Sequence, residues 1–451
     1  MNPHGEWLSG GAPVRLPNMK EALLMKKTLG LLLAAVLLLS LMPAAFAADD
    51  SLSGTVKFWY TADESNPNDF AAVWHRTNIE LFQAAHPGVK IEATVVADGN
   101  DYLTKITTEM AAGNAPDVFR TWLTGRLEPF VTAGRVMPLN DLVAATPALQ
   151  EVISSDAISL STFGDSFYAF PLLSSGEMVF YNKKIFADNG IEVPASYDEF
   201  IAACTTLKNN GVLPVAMGGK DVWPCSIPYM MIFDRLNGPE LYEEVVVGKT
   251  AKFDDPAFIA AGEKFQEMVN AGVFSPECNA ISYSDATTSF AQGKAAMIFD
   301  GSWQTSYYGT QLGEDVGFFN FPMIEGGKGS ANNWLKNYDD AYAISSNTRN
   351  KEAAGAFLAF MFSKERQKEF GEYGNILAVK GVELDTTKIM PLMLDISEAF
   401  AGSDYFEIPW DNPLGTNIGT EVNVVCQGII AGQNVTDLFT KLQKLAQLEW
   451  A

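Results

Sequence analysis

The chain has 451 residues, a formal net charge of −23 and 47% hydrophobic residues. This apolar content is typical of globular proteins and excludes a largely disordered chain, and the length is sufficient for two sizeable domains. The strongly acidic balance argues against nucleic acid or an anionic membrane surface as a partner.

In chain order, the first predicted element is a secretory signal peptide. Met25–Lys27 carries two lysines, Leu29–Leu41 is apolar, and Ala45–Ala47 has the small-x-small pattern of a cleavage site. The apolar run is shorter than the roughly 20 residues that cross a bilayer as a helix. We therefore predict a signal peptide at residues 25–47, cleaved near Ala47, and export to the periplasm or the cell exterior. Residues 1–24 are predicted to be an upstream extension that is untranslated or disordered.

Beyond the leader, strand-like and helix-like segments alternate, which indicates an α/β fold. Val56–Tyr60 is β-branched and aromatic and predicts a buried strand. Apolar residues between Phe70 and Leu81 recur at helical spacing, and the following Pro-Gly pair predicts the end of that helix. Alternation over Val89–Val96 predicts a second strand. Two later helix starts are predicted from a capping box and from an aspartate before a proline, at Ser196–Glu199 and Asp255–Pro256. Three later strands are predicted at Ala295–Phe299, Gly317–Phe321 and Tyr342–Ser345.

Residues of common catalytic centres are scarce. The two histidines beyond the leader, His75 and His86, fit packing and helix-end positions, and the sequence contains no zinc-spaced cluster. Neither a nucleophile-elbow nor a phosphate-loop pattern occurs. Histidine-based acid–base chemistry is therefore poorly supplied, and neither an enzyme nor a cofactor or metal is predicted. A two-carboxylate glycoside hydrolase stays open as the enzyme alternative, because acidic residues are abundant.

The cysteines give no fixed framework. Four of them allow three complete disulfide pairings in an oxidising compartment. Their irregular spacing leaves open whether a structural disulfide forms and which residues it joins. The four are Cys204, Cys225, Cys278 and Cys426.

A series of short motifs follows in one order between residues 54 and 447. They are Phe82–Ile91, Tyr102–Lys105, Met110–Val118, Tyr168–Pro171, Val179–Lys183, Pro194–Phe200, Phe290–Met297, Asp300–Trp303, Ala341–Ile344 and Ala353–Phe360. Together and in this order, they resemble the family-1 extracellular solute-binding proteins of bacterial ABC importers, the maltose-binding-protein-like group of sugar type.

The resemblance implies a two-lobed α/β architecture, the periplasmic-binding-protein type II fold. Each lobe would be a mixed sheet flanked by helices, and the chain would cross between the lobes three times. By the matching motifs, the crossings are expected near Leu172–Phe180, Lys294–Ile298 and Asp340–Ser346. The N-lobe is expected to combine residues 48–175 with 297–342, and the C-lobe residues 176–296 with 343–451.

The same resemblance implies a function. The protein would capture a small carbohydrate, a mono- or oligosaccharide, with high affinity in the cleft between the lobes. It would then deliver the sugar to the membrane permease of an ABC transporter, and it would act as a monomer. A cationic solute such as a polyamine is the alternative ligand, because aromatic rings and carboxylates can hold a cation equally well.

Candidate binding residues follow the predicted strands, because ligands of open α/β sheets bind beyond the carboxyl ends of strands. These residues are Tyr60, Asp63, Glu64, Asp117, Arg120, Trp122, Asp300 and Trp303. The resemblance adds aromatic and acidic residues of the expected C-lobe, namely Trp223, Tyr229, Trp410 and Asp411. Glu177, Tyr338 and Asp339 complete the predicted site.

The pairing of flat rings with acidic side chains suits a sugar. A pyranose has apolar C–H faces that lie on aromatic rings, and its hydroxyls donate hydrogen bonds to carboxylates. Trp303 and Trp410 stand beside glycine, aspartate and proline, so we predict that both rings contact the ligand. The resemblance implies that they do so from opposite lobes. Trp59 and Trp74 lie within a predicted strand and helix, and we predict that they pack in the core.

Overall fold

The structure, a computed structural model, describes residues 52–64, 69–97, 99–250 and 252–450. The predicted signal peptide and the upstream extension lie outside these residues. Among the helices of the described part, none is both long and apolar enough to cross a membrane.

Strands and helices alternate along the chain, as the sequence predicts. The strands are β1 (Gly54–Thr61), β2 (Val89–Val96), β3 (Val118–Thr121), β4 (Thr162–Phe163), β5 (Ser166–Phe167), β6 (Ala169–Phe170), β7 (Leu173–Asn182), β8 (Leu213–Ala216), β9 (Ala295–Gly301), β10 (Val316–Phe319), β11 (Asn333–Asp339), β12 (Ala341–Ile344) and β13 (Tyr405–Glu407). The first helices are α1 (Phe70–Ala85), α2 (Gly99–Ala112), α3 (Glu128–Thr132), α4 (Asn140–Ala145), α5 (Pro147–Val152), α6 (Ser155–Ser159), α7 (Lys183–Asp188), α8 (Tyr197–Asn209) and α9 (Ser226–Asn237). The later helices are α10 (Pro239–Tyr242), α11 (Pro256–Asn270), α12 (Tyr283–Ala291), α13 (Thr305–Leu312), α14 (Lys351–Met361), α15 (Lys364–Glu372), α16 (Pro391–Ala401), α17 (Gly415–Ile430) and α18 (Val435–Glu449).

Two mixed sheets organise these elements into two lobes. The N-lobe sheet has the strand order β2-β1-β3-β12-β6, and the C-lobe sheet has the order β13-β11-β7-β9-β8, with β10 also pairing with β7. Both sheets contain parallel and antiparallel pairs, for example β1 with β2 and β7 with β9. The α/β fold with mixed, helix-flanked sheets is therefore confirmed.

The N-lobe core forms where the first helix lies against the first strand. The Asp69 side chain caps α1 by accepting a hydrogen bond from the Ala72 amide at 3.1 Å. Trp74, Asn78 and Phe82 recur every four residues, so one face of α1 is buried against the sheet. The predicted core position of Trp74 is confirmed, since the residue is only 1% exposed. Trp59 is half-buried, with the Lys105 ammonium 4.5 Å from its ring centroid.

At two points the chain crosses between the lobes close to a predicted crossing. The chain leaves the N-lobe sheet after β6 and enters the C-lobe sheet with β7, across Pro171 and Leu172. It returns between β11 and β12 at Asp340, which has a φ of 50°. Such a left-handed conformation is uncommon for residues other than glycine and marks the sharp change of sheet.

Two parts of the predicted lobe division differ from the structure. No crossing occurs near Lys294–Ile298, because β9 lies between β7 and β8 and stays in the C-lobe sheet. The segment after residue 343 does not enter the C-lobe directly, because α14 packs on α1, β1 and β12 of the N-lobe. The chain returns to the C-lobe only between α15 and α16. Helix α16 belongs to the C-lobe, because its residues Ile396 and Phe400 pack in the C-lobe core.

Candidate functional site

In the N-lobe, β1 and β3 end side by side, and candidate residues lie at or beyond their carboxyl ends. Tyr60 is fully buried and its ring stacks on His75 at a centroid distance of 4.3 Å, so it belongs to the core. Its hydroxyl donates to the Glu64 carboxylate at 3.5 Å, and Glu64 also lies 3.9 Å from Arg76. The backbone amide of Asp63 donates to the Asp69 carboxylate at 2.7 Å.

Beyond β3, the half-buried ring of Trp122 lies near two arginines. The guanidinium carbon of Arg120 is 3.8 Å from the ring centroid, and that of Arg126 is 5.0 Å away. Arg120 pairs with Asp340 at 2.5 Å, at the point where the chain changes sheets. Arg126 pairs with Asp411 of the C-lobe at 2.7 Å. Trp122 therefore lies between a passage of the chain and an ion pair that joins the lobes.

In the C-lobe, an aromatic cluster lies beyond the carboxyl end of β9. The ring of Trp223 is 4.8 Å from that of Tyr283 and 6.0 Å from that of Trp303, centroid to centroid. The Tyr283 hydroxyl oxygen accepts hydrogen bonds from Trp303 Nε1 at 2.8 Å and from Gln304 Nε2 at 3.0 Å. All three residues are partly exposed to solvent.

Asp300 lies beneath this cluster and supports it. Its carboxylate accepts hydrogen bonds from the Tyr283 hydroxyl at 2.8 Å, from the Gly301 amide at 2.8 Å and from the Tyr308 hydroxyl. The residue is fully buried, and this burial raises the pKa of Asp300 to about 7, although the two hydroxyls and the amide favour the charged form. Asp300 is thus a structural acceptor below the rings rather than a residue that faces a ligand.

Gly301 allows the Trp303 ring to lie against the strand. A Cβ atom at this position would stand 2.1 Å from Cζ3 of Trp303, far inside van der Waals contact. The backbone itself, with a φ of −105° and a ψ of 163°, is one that any residue adopts. Glycine is required here for the close approach of the ring and not for the backbone conformation.

The lobes contact each other on both sides of these groups. Asn100 of α2 donates from Nδ2 to the backbone oxygen of Asp221 at 3.1 Å, two residues before Trp223. At the Arg126–Asp411 ion pair, Gly125 packs against C-lobe backbone so closely that a Cβ atom would be 2.4 Å from the Pro413 oxygen. A cavity of about 480 Å³ lies outside this contact and is lined from both lobes, by residues that include Glu128, Pro129, Thr132, Lys249, Thr416, Asn417 and Trp450.

Trp410 does not face the boundary between the lobes, which corrects our prediction. It is 0% exposed, and its ring packs against Phe233 at 4.8 Å and Tyr229 at 5.5 Å. Its indole nitrogen donates to the buried Glu407 carboxylate at 2.6 Å. Tyr229 is also fully buried, and its hydroxyl donates to the Phe258 carbonyl at 3.2 Å. Both residues belong to the C-lobe core.

Four other predicted residues lie apart from the aromatic cluster or face inward. Asp117 precedes β3 and accepts from the Lys57 amide at 2.8 Å, at the opposite end of that strand from Trp122. Glu177 is 5% exposed and is paired in register with Gly301 of β9. Tyr338 is half-buried against the N-lobe core. Asp339 ends β11, and its side chain lies outside the described part of the structure.

The cysteines are free thiols buried in the C-lobe core. Burial raises the pKa of each thiol, which disfavours the thiolate. Within the described ranges, no group of three or more histidine, cysteine, aspartate or glutamate side chains is arranged to hold a metal ion.

Sequence reasoning missed Tyr283, Gln304 and Arg126. Ser282 caps α12 by accepting from the Asp285 amide at 3.1 Å, a pattern that signals a helix start but not the partners of the tyrosine beside it. Gln304 directly follows Trp303, and Arg126 lies four residues after Trp122. Their roles depend on contacts between segments far apart in sequence.

Two mixed α/β lobes that meet along a boundary with aromatic and charged side chains define a two-lobed ligand-binding protein. Residues 66–368, more than half of the chain, match the family described as bacterial extracellular solute-binding protein. The chain belongs to this family, and the predicted family membership is confirmed.

Similar proteins agree with this assignment. A multiple sugar-binding protein from Streptococcus mutans is 25% identical over 72% of this chain and 76% of its own length. An uncharacterised extracellular-binding protein of an ABC transporter from Pyrococcus horikoshii is 25% identical, and the match spans 64% of each chain. A chitin oligosaccharide binding protein has a similar structure, with a TM-score of 0.81 and 27% identity over 88% of this chain and 98% of that chain. The predicted two-lobed fold is confirmed by this similarity.

Proposed function

We propose that the protein captures a small carbohydrate, a mono- or oligosaccharide, between its lobes and delivers it to the permease of an ABC transporter. The observation that carries the proposal is the half-buried cluster of Trp223, Tyr283 and Trp303 beside the lobe boundary. Aromatic faces pack against the C–H faces of sugars, and few polar groups are needed to fix orientation. The similarity to proteins named for binding multiple sugars and chitin oligosaccharides supports the same ligand class.

The state of the carboxylates favours a neutral ligand over a polyamine. Asp300 is fully buried and satisfied by two hydroxyls and an amide. Asp411 and Asp340 already pair with arginines, at 2.7 and 2.5 Å. A cation near the Trp122 ring would therefore compete with two arginines, and the Asp300 carboxylate below the Trp303 ring already accepts three hydrogen bonds.

Binding without chemical change is part of the proposal. The family and the similar proteins are named for binding, and histidine-based chemistry is poorly supplied in this sequence. We propose that the sugar is released unaltered and that the protein acts as a monomer with the permease as its partner. A ligand can shift the equilibrium between open and closed lobes only by the difference between its affinities for the two states.

Calorimetry against a defined panel tests the ligand class. The panel contains xylotriose, diacetylchitobiose, raffinose, spermidine and putrescine. We expect at least one neutral sugar to bind, with an affinity that changes little between low and high salt, because no charge is neutralised. Mass spectrometry should recover that sugar intact, whereas cleavage products would indicate a glycoside hydrolase. Tight polyamine binding that weakens with salt, with no response to sugars, would contradict the proposal.

Export is proposed from the family and from the leader pattern of the sequence. The family is described as extracellular, which agrees with a protein that leaves the cytoplasm. We expect the mature chain to begin at Ala48, because Ala45–Ala47 has the residues that signal peptidases accept. The intact mass of the exported protein measures this directly. A mass that includes residues 25–47 would show that the leader is retained.

A further inference from the structure

A chain of hydrogen bonds connects the N-lobe to the aromatic cluster of the C-lobe. Asn100 donates across the boundary to the backbone oxygen of Asp221 at 3.1 Å. The carboxylate of Asp221 accepts from the backbone amide of Tyr283 at 2.5 Å. The hydroxyl of Tyr283 then accepts from Trp303 and Gln304. Two hydrogen bonds, both made by Asp221, therefore connect Asn100 to Tyr283, the tyrosine that holds Trp303.

The hydroxyl of Tyr283 has no spare hydrogen-bonding capacity. An indole nitrogen and an amide nitrogen can only donate, so the bonds from Trp303 and Gln304 occupy both acceptor positions of the hydroxyl oxygen. Its single proton is donated to Asp300 at 2.8 Å. A displacement of Tyr283 must therefore move Trp303 with it or break a hydrogen bond in a half-buried site.

The turn that contains Asp221, which contacts both Asn100 and Tyr283, has a strained backbone. Val222 follows Asp221 and has a φ of 57° and a ψ of −46°, a conformation that is unfavourable for a β-branched residue. Such a backbone persists only where surrounding contacts hold it. Here the contacts include the Asp221 bonds and the Lys220 amide, which donates to the Ile281 carbonyl at 3.0 Å. Loss of one contact is expected to release the turn.

We propose that this chain of contacts couples lobe closure to the orientation of the Trp303 ring. When the lobes meet, the hydrogen bond from Asn100 holds the turn at Asp221. Tyr283, which is bonded to Asp221, is the positioning residue that in turn orients the Trp303 ring. The coupling rests on the proposed function only in that Trp303 is taken as a ligand-binding residue. The consequence is that the sugar platform is held in its final geometry only when the lobes meet.

A ligand-free measurement tests the coupling. The indole N–H resonance of Trp303, assigned by its loss in Trp303→Phe, reports the bond to Tyr283 in a ¹H–¹⁵N spectrum. We expect Asn100→Ala to shift this resonance, although Asn100 belongs to the other lobe. Thr104→Ala, an exposed position one turn further along α2, is the matched control and should leave the resonance unchanged. An unshifted resonance in Asn100→Ala would overturn the coupling.

A double-mutant cycle with sugar extends the test. Asn100→Ala and Tyr283→Phe should each weaken binding of xylotriose or diacetylchitobiose by about tenfold, within the usual range of coupling between sites. Because both act through one chain of contacts, the double variant should lose little more than either single variant. Losses that multiply would show independent sites and overturn the coupling. If neither sugar binds wild-type protein, the proposed function fails for them, and the resonance shift still decides the coupling.

Discussion

Replacing Trp410 by alanine is expected to lower the free energy of unfolding by about 3–5 kcal/mol, the usual effect of removing a large aromatic residue from a core. The ring is 0% exposed and contacts Phe233, Phe258 and Tyr229 at centroid distances of 4.8 to 5.6 Å. Alanine would leave a cavity that these rings cannot fill without moving. It would also remove the indole donor from Glu407.

Chemical denaturation, followed by circular dichroism, measures this loss. Trp410→Phe is the matched variant, because it keeps an aromatic ring and loses only the N–H donor to Glu407. Burial raises the pKa of Glu407 well above its usual range. Without the indole donor, this buried acid would have one hydrogen-bond partner fewer. We expect Trp410→Phe to cost about 1–3 kcal/mol. If Trp410→Ala unfolded like wild type but bound sugar weakly, Trp410 would be a ligand-binding residue and not a core residue.

Trp74 and Trp410 show which packing the sequence could predict. Trp74 lies on the apolar face of a regular helix, and the period of that helix alone predicts its burial. Trp410 lies in a turn between β13 and α17, where no period exists, and the neighbouring Asp and Pro indicate a turn but not the direction of the ring. Its burial depends on Phe233 and Tyr229 of α9, about 180 residues earlier in the chain.

Local chemistry was predictable wherever it involved neighbours in sequence. The capping box at Ser196 and Glu199 forms as expected, and the Asp255 side chain caps α11 before Pro256. The sequence also placed Asp300 correctly at the carboxyl end of a strand. It could not predict that Tyr283 and Tyr308 would cover the carboxylate, because these residues come from two different helices that only the tertiary fold brings together.

The lobe division, which was expected from the matching motifs, was wrong at β9, and the pattern of the strand could not have corrected it. All seven residues of β9 are buried, so its pattern shows a central strand but not which sheet contains it. Only the pairing with β7 and β8 decides the sheet. The passage at Asp340 was expected near this position from the matching motifs, but the positive φ of Asp340 is visible only in the structure.

Replacing Trp303 by alanine is expected to weaken binding of the sugar by about 1–3 kcal/mol, which corresponds to roughly fivefold to 150-fold in Kd. The half-buried ring takes its orientation from the hydrogen bond to Tyr283 and lies beside Trp223, so it offers an aromatic face to a pyranose. Calorimetry with the panel sugar that binds wild-type protein measures the change. Trp74→Ala serves as the control, because its loss should reduce stability and leave the affinity of the folded protein nearly unchanged.

Gly301→Ala tests whether sugar affinity depends on the position of the Trp303 ring, because this variant moves the ring without removing it. The backbone at this residue accepts alanine, but the new Cβ atom would stand 2.1 Å from Cζ3 of Trp303, so the ring must move. If Trp303 is a sugar platform, Gly301→Ala should lose affinity nearly as much as Trp303→Ala while the indole is still present. Affinity retained in both variants, together with a loss of stability, would show that Trp303 only packs against the strand and that the sugar binds elsewhere.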